Sequence, residues 1–267
     1  MKHDETCRVA SHVDAGAGYR RIVLEAPAIA PETRPGQFVH VRVPTLADTD
    51  LRRPFSVFDA HGGKIEILYK VVGRGTEAFA QTPPGAEVSV LGPLGRGFPA
   101  PAADATAILV GGGYGVAPLH FLARDLARSG SAQRPVVFAG GRTAADLLAV
   151  EDFEAAGARC ILATEDGSRG AKGFVTGPLD TALKEFRAAG RPFELYACGP
   201  DGLLKAVTER ALELGVPGWI STDRYMVCGV GACFACIQKT RDASGGTVNS
   251  RCCINGPVFK AAELVWD

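Results

Sequence analysis

A group of cysteines in the last forty or so residues constrains this chain more than any other feature. Cys228, Cys233 and Cys236 lie within nine residues, and the adjacent pair Cys252 and Cys253 follows after a short intervening segment. The spacing C-x4-C-x2-C with a distant fourth cysteine is a pattern by which a chain wraps a [2Fe–2S] cluster. Glycines between the first two cysteines favour the tight loop that this requires, because glycine has no Cβ to obstruct it. The pattern predicts a segment that transfers one electron at a time.

Two other uses of these cysteines agree less well with the sequence. Disulfide frameworks belong mostly to small secreted domains, and this chain of 267 residues shows no apolar signal segment at residues 1–5. Structural zinc could use Cys233 and Cys236, but no second C-x-x-C and no histidine pair follows them. An iron–sulfur cluster is therefore the predicted ligand. Free thiols elsewhere predict a reducing, cytoplasmic environment; they are Cys7, Cys160 and Cys198.

The identity of the fourth cluster ligand stays open on spacing alone. Neighbouring side chains of an extended segment point in opposite directions, so only one of Cys252 and Cys253 is expected to face a cluster. The segment Ile254-Asn255-Gly256-Pro257 that follows has the composition of a turn.

Composition excludes several classes of protein. Hydrophobic residues make up 46% of the chain and the formal net charge is zero, which is typical of a globular protein with sizeable cores. Lysines and arginines are scattered, so no basic run is available to neutralise nucleic-acid phosphates. No apolar stretch approaches the ~20 residues that span a bilayer. We expect neither a nucleic-acid partner nor a membrane segment.

The predicted fold is a β domain followed by an α/β domain and a small cluster domain. Residues 1–100 contain short alternating segments with Pro-Gly turns, which favour a small antiparallel barrel. Its predicted strands are 19–25, 37–43, 64–72 and 87–91. In 37–43 the alternation places Phe38, His40 and Arg42 on a polar face and Val39, Val41 and Val43 on an apolar one.

Residues 101–222 alternate between apolar strands and helical segments, as a parallel α/β sheet does. The predicted strands are 105–111, 135–139, 159–163 and 193–197. The predicted helices are 119–128, 146–156, 178–188 and 201–214. Residues 223–267 form the cysteine-containing domain.

Glycine-rich loops after two of these strands are candidates for binding a nucleotide. Gly111, Gly112, Gly113 and Gly115 lie between a strand and a helix, where a pyrophosphate can approach the backbone and the helix N-terminus. A tight turn alone would also explain them, since the spacing is not G-x-G-x-x-G. A second loop lies at the end of another strand, where open α/β sheets bind ligands; it consists of Cys198, Gly199 and Pro200. The segment 164–168 lies at the end of a third strand, where it could line the same crevice; an ordinary turn would explain its composition equally well.

In the barrel region, two short segments have phosphate-binding chemistry. Arg53, Pro54, Phe55 and Ser56 combine a cation, an aromatic ring and a hydroxyl, and arginine can hold a phosphate bidentately. The loop 73–76 offers a second candidate. Each motif is weak when it is considered alone.

Taken together in this order, the motifs resemble those of the ferredoxin–NADP reductase superfamily. Within it, the chain closely resembles the iron–sulfur electron-transfer subunits of heterodimeric dihydroorotate dehydrogenases, nearly end to end through Cys253-Ile-Asn-Gly-Pro-Val-Phe259. The resemblance implies electron transfer between NAD(H) and the FMN of a catalytic partner, through FAD and a [2Fe–2S] cluster, in pyrimidine biosynthesis. It also implies a cytoplasmic assembly of two such subunits with two partners.

The resemblance assigns roles to particular residues. It implies that the barrel holds FAD through Arg53, Pro54, Phe55, Ser56, Leu68, Tyr69, Lys70, Gly75 and Thr76. It implies that the nicotinamide nucleotide is held by Gly111, Gly112, Gly113, Gly115, Cys198, Gly199 and Pro200. The family motif C-x-D-G-P-V-F aligns with Cys253, so the implied cluster ligands are Cys228, Cys233, Cys236 and Cys253. Lys70 stands where arginine is more usual, and Asn255 replaces the aspartate. Because the cofactors carry the chemistry, no catalytic acid–base pair is expected.

Two rival functions remain. One is an NAD(P)H:ferredoxin oxidoreductase subunit of the same build, as in bifurcating transhydrogenases or sulfide dehydrogenases, with Arg142 available to pair with a 2′-phosphate. The other is a non-catalytic redox-sensing module. An electron-exporting surface predicts an exposed apolar patch near the cluster, with candidates Phe234, Val258, Phe259 and Trp266.

Overall fold

The N-terminal third of the protein folds into a curled antiparallel sheet. The structure is a computed structural model that describes residues 1–44, 51–131 and 133–266. Seven strands in the order β4-β3-β7-β1-β2-β6-β5 form the sheet. They are β1 (His3–Gly16), β2 (Tyr19–Glu25), β3 (Phe38–Arg42), β4 (Arg53–Ser56), β5 (Asp59–His61), β6 (Lys64–Lys70) and β7 (Glu87–Leu94), with one helix, α1 (Arg74–Ala80).

Side chains close this sheet into a barrel-like core. The ring centroid of Phe55, on the edge strand β4, lies 5.3 Å from that of Tyr69 on β6, and both rings pack against Phe79 of α1. The predicted antiparallel barrel is thus confirmed as a curled sheet. One expectation for β3 is wrong: His40 is fully buried, and on its face only Arg42 is exposed.

The central third is an α/β sheet of parallel strands with helices packed on it. Its strands are β8 (Thr106–Gly112), β9 (Val136–Gly141), β10 (Arg159–Thr164), β11 (Ala171–Lys172), β12 (Phe193–Cys198) and β13 (Gly218–Ser221). Its helices are α2 (Val116–Arg128), α3 (Val150–Ala155), α4 (Thr176–Ala188) and α5 (Asp201–Leu214). The helix predicted over 146–156 is shorter than expected, because Ala149 has a left-handed conformation (φ 57°) that breaks it.

The cysteine-containing region joins both other parts of the protein. It contains the hairpin β14 (Ile237–Arg241) and β15 (Thr247–Arg251), the short helix α6 (Cys252–Asn255) and the strand β16 (Val258–Lys260). β16 pairs antiparallel with β13, so the larger sheet has the order β11-β10-β9-β8-β12-β13-β16. The last strand of the region predicted as a separate domain therefore completes the α/β sheet.

Ion pairs connect the barrel to the α/β sheet. Arg21 of β2 bonds to Glu66 of β6 and reaches Asp152 of α3 at 3.0 Å. Arg128 of α2 contacts Asp59 of β5 at 2.7 Å. These pairs fix the orientation of the two parts across their shared boundary. Among the described residues, no helix is long and apolar enough to cross a membrane.

Candidate cofactor cleft and cluster loop

A cleft of about 1460 Å³ lies where the barrel meets the parallel sheet. On the sheet side it opens at the carboxyl ends of β8 and β12. β8 and β12 are neighbours in the sheet. From β8 the strand order proceeds to one side through β9 and β10, and from β12 it proceeds to the other side through β13. Ligands of open α/β sheets bind at such a switch point. The fold thus brings together loops that are about ninety residues apart in the sequence.

All predicted cofactor residues except Gly75 and Gly111 line this cleft. A Cβ at Gly75 would lie 2.6 Å from Arg53 Nε, so this glycine allows the guanidinium to lie across the loop. A Cβ at Gly111 would lie 2.8 Å from Cγ1 of Val116, so this glycine allows α2 to pack closely on β8. The lining set is Arg53, Pro54, Phe55, Ser56, Leu68, Tyr69, Lys70, Thr76, Gly112, Gly113, Gly115, Cys198, Gly199 and Pro200.

On the barrel side, several of these side chains already have structural partners. The Thr76 hydroxyl accepts the N–H of Val72 at 2.8 Å and donates to the carbonyl of Gly73 at 2.9 Å, so it caps α1. The Phe55 ring is only 8% exposed and packs in the barrel core. Arg53 donates from Nη1 to the carbonyl of Leu51 at 2.7 Å and to that of Arg52 at 3.5 Å.

Lys70 lies between the barrel and the α/β sheet. Its Nζ is 4.7 Å from the centroid of the Tyr19 ring and 3.9 Å from Oδ1 of Asp146. A cation over an aromatic face is attracted by the ring quadrupole. The lysine is thus held at the wall of the cleft, with a positive charge available to an anionic ligand.

On the sheet side, the two glycine-containing loops touch each other. A Cβ at Gly115 would lie 2.5 Å from the carbonyl oxygen of Cys198, so only glycine permits this contact. Burial, with the nearby charge of Asp223, raises the pKa of the Cys198 thiol to about 12, against opposing bonds from Ser221 and Gly199. Cys198 therefore presents an uncharged thiol to the cleft at physiological pH.

Several lining residues were missed by the sequence analysis. Tyr114 donates its hydroxyl to Oδ2 of Asp223 at 3.0 Å and so connects the glycine-rich loop to the cysteine-containing region. Tyr19 and Tyr225 also line the cleft. The available sequence signal was the position of Asp223, two residues after the end of β13, the strand that pairs with β12. Arg142 and Glu165, which follow β9 and β10, line the cleft as their positions suggested.

Four of the cysteines lie close together in two pairs. The Cys228 sulfur hydrogen-bonds to the Cys233 thiol, and the Cys236 sulfur to the Cys253 thiol. The Cys253 N–H also approaches the Cys236 sulfur, at 3.5 Å. In the described part of the chain, no three His, Cys, Asp or Glu side chains converge as ligands of a single ion. Two pairs of thiols fit a two-iron cluster held by four cysteines.

The side chains of Cys252 and Cys253 have different surroundings. The Cys252 sulfur lies 3.3 Å from the Thr222 hydroxyl and is fully buried. Burial raises the pKa of both thiols, to about 11 for Cys252 and about 12 for Cys253. Because Cys252 packs toward the α/β sheet and Cys253 contacts Cys236, Cys253 has the better geometry for a ligand.

The loop around Cys228 suits a negatively charged cluster. Desolvation raises the pKa of the Cys228 thiol, but bonds from the backbone N–H groups of Val230, Cys233 and Ala232, and from the Cys233 thiol, hold it lower, at about 6. The Ala232 N–H lies 3.2 Å from this sulfur. Arg251 supports the loop by donating to the carbonyl of Gly231 at 2.6 Å. The donors and thiols together fit a bound iron–sulfur cluster.

The exposed apolar surface near this loop differs from the one expected. Of the four candidates, Phe234 is 59% exposed, whereas Val258 and Phe259 are buried in the core and Trp266 is partly buried. Val258 and Phe259 are buried instead of exposed because they belong to β16, which pairs with β13. The exposed apolar side chains around the cysteines form what we call the cluster rim, which consists of Tyr225, Val227, Val230 and Phe234.

Comparison with known proteins agrees with this geometry. Residues 7–98 match the oxidoreductase FAD-binding domain and residues 109–209 match the oxidoreductase NAD-binding domain. Residues 223–265 match the iron–sulfur cluster binding domain of dihydroorotate dehydrogenase B. The fold and these matches define a flavin-dependent oxidoreductase that binds NAD and an iron–sulfur cluster.

Similarity to individual proteins identifies the family to which the chain belongs. The chain is 42% identical to the dihydroorotate dehydrogenase B (NAD⁺) electron transfer subunit of Geobacillus kaustophilus over 91% of both chains. It is 37% identical to the corresponding subunit of another Geobacillus strain over 99% of this chain and 100% of that one. The solved structure of an NADH-dependent reduced ferredoxin–NADP oxidoreductase superposes with a TM-score of 0.83 at 30% identity, covering 100% of this chain and 92% of the other. The chain belongs to the family of dihydroorotate dehydrogenase B electron transfer subunits.

Proposed function

We propose that this chain transfers electrons between NAD(H) and the FMN of a dihydroorotate dehydrogenase catalytic subunit, in pyrimidine biosynthesis. The observation that carries the proposal is the arrangement of the two sites. A single cleft combines barrel and glycine-loop residues, and the cysteine loop packs against the same barrel. One chain thus offers neighbouring sites for a flavin, a nicotinamide and a cluster.

The proposed ligands follow from the positions of the residues. FAD is held by the barrel residues Arg53, Pro54, Phe55, Ser56, Leu68, Tyr69, Lys70, Gly75 and Thr76. NAD(H) is held by Gly111, Gly112, Gly113, Gly115, Cys198, Gly199 and Pro200. The cluster is held by Cys228, Cys233, Cys236 and Cys253.

The protein's contribution is placement and electrostatics. When bound, FAD exchanges electron pairs with NAD(H) and single electrons with the cluster. Arg53 and Lys70 provide positive charge for phosphates. Because Gly115 has no side chain where it contacts Cys198, the nucleotide can approach the backbone closely. The neutral Cys198 thiol adds no charge beside the nicotinamide.

The cluster rim is the proposed docking surface for the catalytic subunit. Tyr225 is 95% exposed and Phe234 is 59% exposed, directly beside the cysteine loop. Aromatic residues are enriched in the buried centres of interfaces, and a short path from cluster to FMN requires contact here. We propose a cytoplasmic assembly of two such chains with two catalytic subunits.

Reconstitution tests the function. The chain loaded with FAD and cluster is mixed with the FMN-containing dihydroorotate dehydrogenase of the same organism, and NAD⁺ reduction by dihydroorotate is followed. We expect turnover only with both proteins present, and NADH oxidation by an artificial acceptor with this chain alone. Phe234→Ser should weaken partner binding at least tenfold and leave the artificial-acceptor rate unchanged. No complex and no coupled turnover would refute the assignment.

A second candidate has its own support. The similarity to the bifurcating ferredoxin–NADP oxidoreductase covers the whole chain, and Arg142 lines the cleft; an arginine there is suited to pair with a 2′-phosphate. This function predicts a preference for NADPH and electron exchange with ferredoxin. Comparing KM for NADH and NADPH, with Arg142→Gln as the test variant, separates the two candidates.

A further inference from the structure

His40 of β3 is a fully buried histidine. Its relative exposure is 0%, and neither ring nitrogen has a hydrogen-bond partner among the described residues. Burial, with the nearby Arg52 charge, lowers the pKa of His40 to about 4. In either neutral tautomer or in its protonated form, the imidazole carries at least one N–H donor. Buried polar groups in folded proteins are almost always hydrogen-bonded, so this donor calls for an acceptor beyond the described residues.

The imidazole contacts the cysteine loop directly. A Cβ at Gly229 would lie 2.8 Å from both Cε1 and Nδ1 of His40. Gly229 follows the proposed ligand Cys228 and has a left-handed backbone (φ 66°). Only glycine allows the loop to rest on the ring in this way. The loop and the ring thus form one contact surface.

On its other side, His40 belongs to the face of the barrel that lines the cofactor cleft. It pairs across β3 and β4 with Pro54, and its ring lies 5.7 Å from that of Phe38. Pro54 and Phe38 both line the cleft. Arg52 holds the strand in place through bonds to the carbonyls of His40 and Ser89 and an ion pair with Asp4. His40 therefore lies between the proposed flavin site and the cysteine loop.

We propose that His40 donates its imidazole N–H to a sulfur atom of the [2Fe–2S] cluster and thereby raises the cluster's reduction potential. The inference rests on the cluster site of the proposed function. Hydrogen bonds to cluster sulfurs stabilise the more negative, reduced state, and this is one way in which a protein tunes the potential. The donor also comes from the flavin-binding part of the protein, so it couples the positions of the two sites.

A redox titration of the cluster, followed by electron paramagnetic resonance, tests this role in the protein loaded with FAD and cluster. His40→Phe keeps a ring of similar size but removes the donor, whereas His40→Gln keeps an N–H donor. We expect His40→Phe to lower the equilibrium constant for cluster reduction about tenfold, or about 59 mV for a one-electron couple, and His40→Gln to restore part of it. His120→Phe is the matched control, because His120 is also buried but bonds to the carbonyl of Phe58; its cluster potential should equal that of the wild type.

Selective labelling decides the question if His40→Phe loses its cluster. Wild-type protein is made with ¹⁵N-histidine, and pulsed electron paramagnetic resonance of the reduced cluster is searched for a histidine nitrogen coupling. A coupling that persists in His120→Phe supports the proposal. Absence of the coupling in the wild type, or an unchanged potential in cluster-loaded His40→Phe, overturns it. A wild-type chain that binds no iron would refute the proposed function instead.

Discussion

At the scale of single residues, the neighbours Cys252 and Cys253 show how orientation separates identical side chains. The cysteine spacing limits the fourth ligand to this pair, and because adjacent side chains of an extended segment diverge, only one of the two is expected to face the cluster. It cannot say which thiol faces the cluster, because that depends on where Thr222 and Cys236 lie. The structure places the Cys252 sulfur beside Thr222 and the Cys253 thiol beside Cys236, which supports Cys253 as the ligand.

Single substitutions test this assignment. Cys253→Ser should lose most of the cluster, since it removes a thiol from the Cys236 pair, while Cys252→Ser should retain it. Iron and acid-labile sulfide per chain, together with the visible spectrum, measure the outcome after anaerobic reconstitution. Full cluster content in Cys253→Ser, with loss in Cys252→Ser, would reverse the assignment.

At the scale of elements, the sequence predicts strands and helices that are strongly apolar or amphipathic and fails where few side chains are buried. α5 begins and ends as predicted, and most other predicted elements agree within a few residues. β1 was not predicted, because exposure alternates over residues 3–10 but only Cys7 and Val9 of its fourteen residues are buried. The helix predicted from 146 begins only at Val150, because the left-handed backbone of Ala149 separates it from the buried Leu147 and Leu148.

The contact between the β8–α2 loop and the end of β12 gives a prediction. Gly115→Ala would place a Cβ 2.5 Å from the carbonyl oxygen of Cys198, so the backbone of one loop must move. We expect KM for NADH to rise at least tenfold, with FAD and cluster content unchanged. Steady-state NADH oxidation with an artificial acceptor measures it. Gly177→Ala, whose Cβ enters open space in α4, serves as the control and should behave like the wild type.

The contact between α4 and α5 predicts a pH-dependent stability. The hydrogen bond from Arg210, 2.8 Å from Nη2 to Oδ2 of Asp180, lowers the pKa of this aspartate. The pair thus stabilises the fold above the ordinary aspartate pKa of about 3.9, and this is lost as the pH falls through the lowered value. Because the pair is partly exposed, Asp180→Asn should cost about 0.5 kcal/mol at pH 7. Urea unfolding of Asp180→Asn, Arg210→Gln and the double variant measures it. A difference that persists unchanged at acidic pH would contradict the ion-pair origin.

At the scale of the whole molecule, the three predicted regions are interdependent. The cysteine-containing region was expected to be a small domain of its own, yet its strand β16 forms the edge of the α/β sheet. Its loop also rests on the barrel through Gly229 and His40. The boundaries at 100 and 222 stay predictions about folding units, and experiments on truncated chains can examine them.

Removing residues 223–267 should therefore destabilise the remaining sheet. Val258 and Phe259 are 5% and 4% exposed, and burial of each such side chain contributes about 1.5–3 kcal/mol. We expect a clearly lower melting temperature and weaker FAD retention than in Cys253→Ser, which keeps β16 in place. Equal melting temperatures for the two proteins would show that the region folds independently.

The sequence by itself determined the features that depend on neighbours along the chain. These are the cluster chemistry set by the cysteine spacing, the change from a strand pattern to a strand–helix pattern, and the glycine loops at strand ends. Tertiary structure alone decided the burial of His40, the contact of Tyr114 with Asp223 and the different surroundings of Cys252 and Cys253. Each of these depends on segments that are distant in sequence and adjacent in space. Local spacing and periodicity contain no information about such contacts, because they arise only when the barrel, the sheet and the cysteine loop pack together.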